Sequence, residues 1–196
     1  MKSAWPTSSE TSTRLTSYGL TLPTGYTAQN AIDDAVAQWE YLCGFSPFLA
    51  GSSNTYVHDP CDSEIVRLRA PFGQITAVEV DGEAVTIGDD VFLMPGSVVN
   101  EPYQFLQFGW TVYGNPGTIE VTGKLGWLQI PDAVWNAVLE FACGVVQRRT
   151  SGVAGEVQSI KQESVQIEFR GGVTMGSSLY AQTMEQLTAL ATRYRV

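Results

Sequence analysis

A chain of 196 residues can bury a substantial core without disulfides, and 44% hydrophobic against 16% charged residues, with 19 glycines and 9 prolines, excludes a charge-rich disordered chain, a coiled coil and a collagen-like repeat. A formal charge of −9 argues against a surface that neutralises nucleic-acid phosphates or lies on an anionic membrane. No apolar run approaches the roughly 20 residues of a membrane span, and the opening MKSAWPTSSETST lacks an apolar h-region, so the expectation is a soluble chain without an export signal.

Residues 1–26 are rich in Ser and Thr and keep no sustained period, which predicts an extended arm with at most a short ordered piece around Leu15 to Leu22. Residues 27–55 hold a first helix and a hook. Ala31, Ile32, Ala35, Val36, Trp39, Leu42 and Cys43 recur at helical spacing, Asp33 and Asp34 sit toward the positive end of the dipole, and Gly44 suits the C′ position. Pro47 ends the helical pattern, and Phe45, Phe48 and Leu49 are expected to fold back onto it.

Residues 56–122 read as a small antiparallel β subdomain, with strands at Ile65 to Leu68, Ile75 to Val80, Glu83 to Ile87, Val91 to Met94, Tyr103 to Phe108 and Gly117 to Thr122. Asp81-Gly82 has the chemistry of a type I′ hairpin turn. Residues 123–176 carry a central helix and a hairpin. Pro131 and Asp132 suit a helix start, and from there a narrow stripe of Asp132, Asn136, Glu140, Gly144 and Gln147 is all that interrupts an apolar circumference. Such a helix needs neighbours on nearly every side, from its own domain or from an adjacent subunit. Val157, Ile160, Val165, Ile167 and Phe169 then alternate around a turn near Gln162 to Ser164. Residues 177–196 form a last helix, capped by Ser177 or Ser178, with Tyr180, Met184, Leu187, Ala191 and Tyr194 on one stripe. The expected class is α+β: a helical core of N-terminal, central and C-terminal helices, an inserted antiparallel β subdomain and a short hairpin.

Sites of chemistry are sparse. Cys43, Cys61 and Cys143 are odd in number and widely spaced, which favours free thiols in a reducing compartment. His58, the sole histidine, stands near Asp59, Cys61, Asp62 and Glu64, but these lack the recurrent ligand spacing of a zinc site, so the expectation is a solvated loop. A metal hydrolase around His58 is the weakest of the functional readings. VTGKLGW has a Gly-Lys pair without phosphate-loop spacing, no Gly-x-Ser-x-Gly elbow occurs, and Asp33-Asp34 and Asp89-Asp90 are too close in sequence to face one another across a glycosidic bond. No cofactor is implied. From Asp62 to Glu101 eight acids stand against Arg67 and Arg69, so the middle of the chain is acidic. With its acidic balance and aromatic residues, the β segment leaves a virion-borne or secreted carbohydrate-binding module as an alternative, which requires Trp110 and Trp127 exposed in one groove.

Three stretches, AIDDAVAQWEYLCGFSPF, VEVDGEAVTI and VTGKLGWLQIPDAVWNAVLEFACGVVQRR, together resemble the head–tail connector, or adaptor, proteins of tailed bacteriophages. The carriers are Phe45-Ser46-Pro47-Phe48 after the first helix, Gly126-Trp127 ahead of Ile130-Pro131, and the long apolar helix that follows. The resemblance implies a non-enzymatic virion protein of the neck, assembled in the host cytoplasm. It would form a dodecameric ring under the portal protein, carry DNA through a channel without tight binding, and offer a platform to the tail or stopper protein, with no membrane partner. It also implies portal docking by the last helix, through Tyr180, Met184, Leu187, Arg193, Tyr194 and Arg195, although the same helix could simply cap its own domain. Trp135, Leu139 and Val146 of the central helix are the corresponding candidates for contact between subunits.

Overall fold

The structure is a computed structural model that describes residues 1–44, 47–60, 62–95, 101–114, 117–150, 160–162, 165–167 and 179–194, the two short strands at 160–167 by backbone alone. The fold is α+β, and the chain divides into two compact units: Met1–Ala4 with Gly44–Ile130, and Trp5–Cys43 with Pro131–Arg195.

The helical unit begins where the sequence predicts an extended arm. Ser8–Ser17 is a helix, α1, opened by a capping box: Glu10 N donates to Thr7 Oγ1 at 3.2 Å, and Thr7 N donates to Glu10 Oε2 at 2.8 Å. Three of its hydroxyls are satisfied within the helix, Ser12 donating to Ser8 O, Thr13 to Ser9 O and Thr16 to Ser12 O, while Ser8 donates to Gln29 Oε1 at 3.1 Å. Thr11 and Leu15 are buried. Helix α2, Ala28–Cys43, starts on a second reciprocal cap between Thr27 and Asn30, and Gly44 follows it at φ 81° as expected of a C′ glycine. Helix α3 is Asp132–Thr150 and helix α4 is Leu179–Ala191; α3 packs against α1, α2 and α4.

The β unit is an antiparallel sheet of six strands: β1 Asn54–His58, β2 Ser63–Val80, β3 Glu83–Val85, β4 Val91–Pro95, β5 Tyr103–Val112 and β6 Ile119–Leu125. The order is β1-β6-β2-β5-β4, with β3 added to β2. Where the sequence predicts two strands, Ile65 to Leu68 and Ile75 to Val80, one of 18 residues runs through. Pro71 is tolerated because β2 changes partner there: Ser63 to Phe72 pair with β5, and Gln74 to Val80 pair with β6, with register shifts on both sides. The freed Pro71 carbonyl accepts from Gly126 N at 2.8 Å. Inward residues of both halves, among them Val66, Leu68, Leu106, Phe108, Val78 and Val121, close a single apolar core. Asp81 (φ 53°) and Gly82 (φ 81°) form the expected I′ turn between Val80 and Glu83.

The hook continues into contacts with the turn after β6. Phe48 is fully buried, its ring stacked on Trp127 at 5.7 Å and 12°, and its carbonyl accepts from Trp127 N at 2.6 Å. Gly126 sits at φ 91°, and a Cβ there would meet the carbonyl oxygens of Pro47 and Phe48 at 2.6 and 2.5 Å, so this turn admits glycine alone. Ile130 then pairs with Lys2 through two backbone hydrogen bonds of 2.7 and 2.8 Å. Phe45 lies outside the described residues. The short hairpin is β7, Ile160–Gln162, against β8, Val165–Ile167, with Gln162 opposite Val165. Val157, Phe169 and the Ser177 and Ser178 caps also lie outside the described residues.

Candidate functional site

The narrow stripe that interrupts the apolar circumference of α3 is where other elements attach. Glu140 accepts from Tyr18 Oη at 2.6 Å and pairs with Arg14 at 3.3 Å, which fastens α1 and the turn after it. The hydrogen bond to Glu140 is the main reason the Tyr18 phenol is held above its ordinary range. A second cluster of the same composition lies near the helix end. Tyr26 Oη donates to Asp34 at 2.6 Å, Arg149 donates to the same carboxylate at 2.9 Å, and the Arg149 guanidinium stands over the Tyr26 ring at 4.3 Å. Burial, then the bond to Asp34, raises the Tyr26 phenol.

Gly144 is buried where α4 crosses. A Cβ on it would lie 2.6 Å from Thr183 Oγ1 and 2.9 Å from Tyr180 Cα, so the absent side chain sets how closely the two helices approach. One turn on, Gln147 Oε1 accepts from Leu179 N at 2.9 Å and satisfies the first free amide of α4. Glu140, Gly144 and Gln147, three of the five residues that read as a polar edge, are therefore attachment points.

This placement corrects several expected contacts. Leu139 is 3% exposed and Val146 fully buried inside the helical unit, so neither has surface to offer another subunit; Trp135, half-buried, is the remaining candidate of that group. Eight residues of α3 are buried in the single chain, which removes most of the apolar surplus that the helix displayed in sequence. Of the proposed portal contacts, Leu187 is also fully buried. Tyr180 is half-buried, its ring 5.4 Å from Phe141 with the Arg148 guanidinium 4.7 Å above it, and Tyr194 packs edge-on against Trp39 at 5.7 Å. Met184 is half-buried, Arg193 is exposed, and Arg195 lies outside the described residues. The outward stripe of α4, which includes Tyr180, Met184 and Thr188, lines with Thr192 just beyond it an open apolar depression of about 610 Å³.

In the β unit His58 is no solvated loop residue. It ends β1 at 3% exposure, 6.1 Å from the Phe72 ring, and among the described residues neither ring nitrogen has a hydrogen-bond partner. Burial first, then the Arg69 charge, lowers its pKa below 6.5, while Asp59 opposes them. Among the described residues no group of three or more His, Cys, Asp or Glu is placed to hold a metal, and no helix is long and apolar enough to cross a membrane. Cys43 and Cys143 are buried and in no disulfide; Cys61 lies outside the described residues. Trp127 is 8% exposed beneath Phe48, and Trp110 is absent from the lining of the cavity that Trp127 touches, so the shared aromatic groove of a carbohydrate-binding module is not formed.

No protein-family model and no curated relative matches the sequence. The fold does match solved structures. A chain in the neck of an empty gene transfer agent (GTA) particle, computed with C6 symmetry, aligns over 97% of this chain and 89% of its own at 16% identity and a TM-score of 0.51. A chain in the neck of the native particle, computed with C12 symmetry, aligns over 86% and 81% at 16% identity and a TM-score of 0.48.

Proposed function

We propose that this chain is a structural, non-catalytic subunit of the neck of a tailed-phage-like particle, a head–tail adaptor. Copies of it would form a ring beneath the portal, continue the DNA channel and present a platform to the tail or stopper protein. The observation that carries the reading is the arrangement of the fold: a helical unit interrupted between α2 and α3 by an antiparallel sheet, sharing its fold with a neck chain over 97% of the sequence. Net charge of −9 supports passage of DNA without retention. On this reading the portal meets the outward stripe of α4, with Tyr180 and Met184 in apolar contact and Arg193 toward acidic groups.

The test is co-sedimentation with purified portal particles, followed by electron microscopy. The wild-type chain is expected to add density as a ring of repeated copies under the portal. Met184→Asp with Arg193→Glu should reduce binding by about tenfold or more. A chain that leaves portal particles undecorated sinks the reading; a doubly substituted chain that binds like wild type removes α4 as the docking element.

A further inference from the structure

The two outer surfaces of the β unit differ in a way that points to what each one meets. Because β2 pairs with β5 along its first half and β6 along its second, and inward residues of both halves share one core, the outward residues of the two halves form two separate patches on the unit.

On the first half the outward row Ile65–Gln107–Phe92 runs straight across β2, β5 and β4, with Ile65 45% and Phe92 49% exposed. The next outward row is Arg67–Phe105–Met94. Arg67 is exposed and forms no ion pair among the described residues, so an unpaired cation stands at the margin of an apolar patch. On the second half the ladder places Val57, 48% exposed, beside Glu120, and Glu120 directly opposite Glu79. Neither carboxylate pairs with a cation among the described residues. Like charges directly opposite on neighbouring strands destabilise a sheet, and an arginine fork spanning both carboxylates offsets that repulsion.

We infer that these surfaces are the two halves of one head-to-tail contact between successive copies of this chain, Arg67 of one copy seating on the Glu79–Glu120 pair of the next while Ile65 and Phe92 cover Val57. A second copy is the fitting occupant because the apolar patch with its cation and the carboxylate pair with its exposed valine are complementary and are different patches of one molecule, which makes the contact heterologous, the kind of interface from which rings are built. The contact deepens the ring reading above and rests on it.

Sedimentation velocity over a concentration series at low salt, on wild type, Arg67→Glu, Glu120→Arg and the double variant, tests it, with far-UV circular dichroism to establish that each is folded. Wild type should self-associate in a salt-sensitive manner. Each single reversal should weaken association by about tenfold or more, and the double variant should recover most of it. Single variants that associate like wild type, or a double variant that recovers nothing, overturn the contact, as does a wild type that stays monomeric throughout the series. Loss of portal binding in Arg67→Glu with self-association unchanged assigns the patch to another partner and overturns it equally. Rings on portal particles formed as well by Arg67→Glu remove this contact and leave the ring reading standing. Absence of wild-type rings there removes the ring reading, whereas solution association lost in the single variants and regained in the double sustains the contact.

Discussion

Replacing Gly144 by alanine sets two physical effects against each other. In an exposed helix interior the change stabilises by about 1 kcal/mol, because glycine loses more backbone freedom on folding. Here the new methyl would lie 2.6 Å from Thr183 Oγ1 and 2.9 Å from Tyr180 Cα. Neither neighbour yields easily: Thr183 Oγ1 is tied to Leu179 O at 2.7 Å, and Tyr180 Cα is backbone of α4. Overpacking of this kind costs about 1–3 kcal/mol, so the net expectation is a loss near 1 kcal/mol. In urea denaturation followed by far-UV circular dichroism that is a midpoint lowered by about 0.5 M with an unchanged slope. Asn136→Ala, at an exposed position of the same helix, is the control and should raise the midpoint slightly. Gly144→Ala with Thr183→Ala should regain part of the loss, since the nearer clash is gone. If Gly144→Ala raises the midpoint as Asn136→Ala does, the close crossing of α3 and α4 is wrong.

Two further outcomes follow from buried titratable groups. His58 is held neutral, with a folded pKa below the 6.5 of the free side chain. Below that value the unfolded chain binds the extra proton first, so stability is full above pH 6.5 and declines as pH falls from there toward the folded pKa. Denaturant midpoints at pH 7.5 and 5.5 should differ more for wild type than for His58→Phe, which also removes two unpartnered ring nitrogens; an equal pH response in both chains would contradict the burial. Burial, reinforced by Glu140, pushes the Cys143 thiol up to about 12. Peptide mapping after brief iodoacetamide treatment at pH 8 should find Cys143 unlabelled in native protein and fully labelled in denaturant, and native labelling would show the α3 core open.

Elements whose period matched their environment were legible in sequence. Helix α2, its Gly44 stop and the Asp81-Gly82 turn stand where spacing and turn chemistry put them. Helix α1 was missed although Thr7-Ser8-Ser9-Glu10 spells a capping box, because Ser and Thr have modest helix propensity and their hydroxyls, bonded here to carbonyls one turn back, are also the mark of irregular chain. That omission carried over to α3. With α1 counted as an arm, Leu139 and Val146 appeared to need a second subunit, whereas α3 has α1, α2 and α4 of its own chain packed on it. The Glu79–Glu120 pair was invisible for another reason: residues so far apart in sequence become neighbours only through ladder register, and the bulge between Ile75 and Ala77 shifts that register by a residue.

The bond from Leu179 N to Gln147 Oε1 has a bearing on how the helical unit responds to salt. It clasps the start of α4 to the last turns of α3 through an uncharged amide, so this fastening is indifferent to the ionic strength that screens the pair Arg149, on the same helix, makes with Asp34.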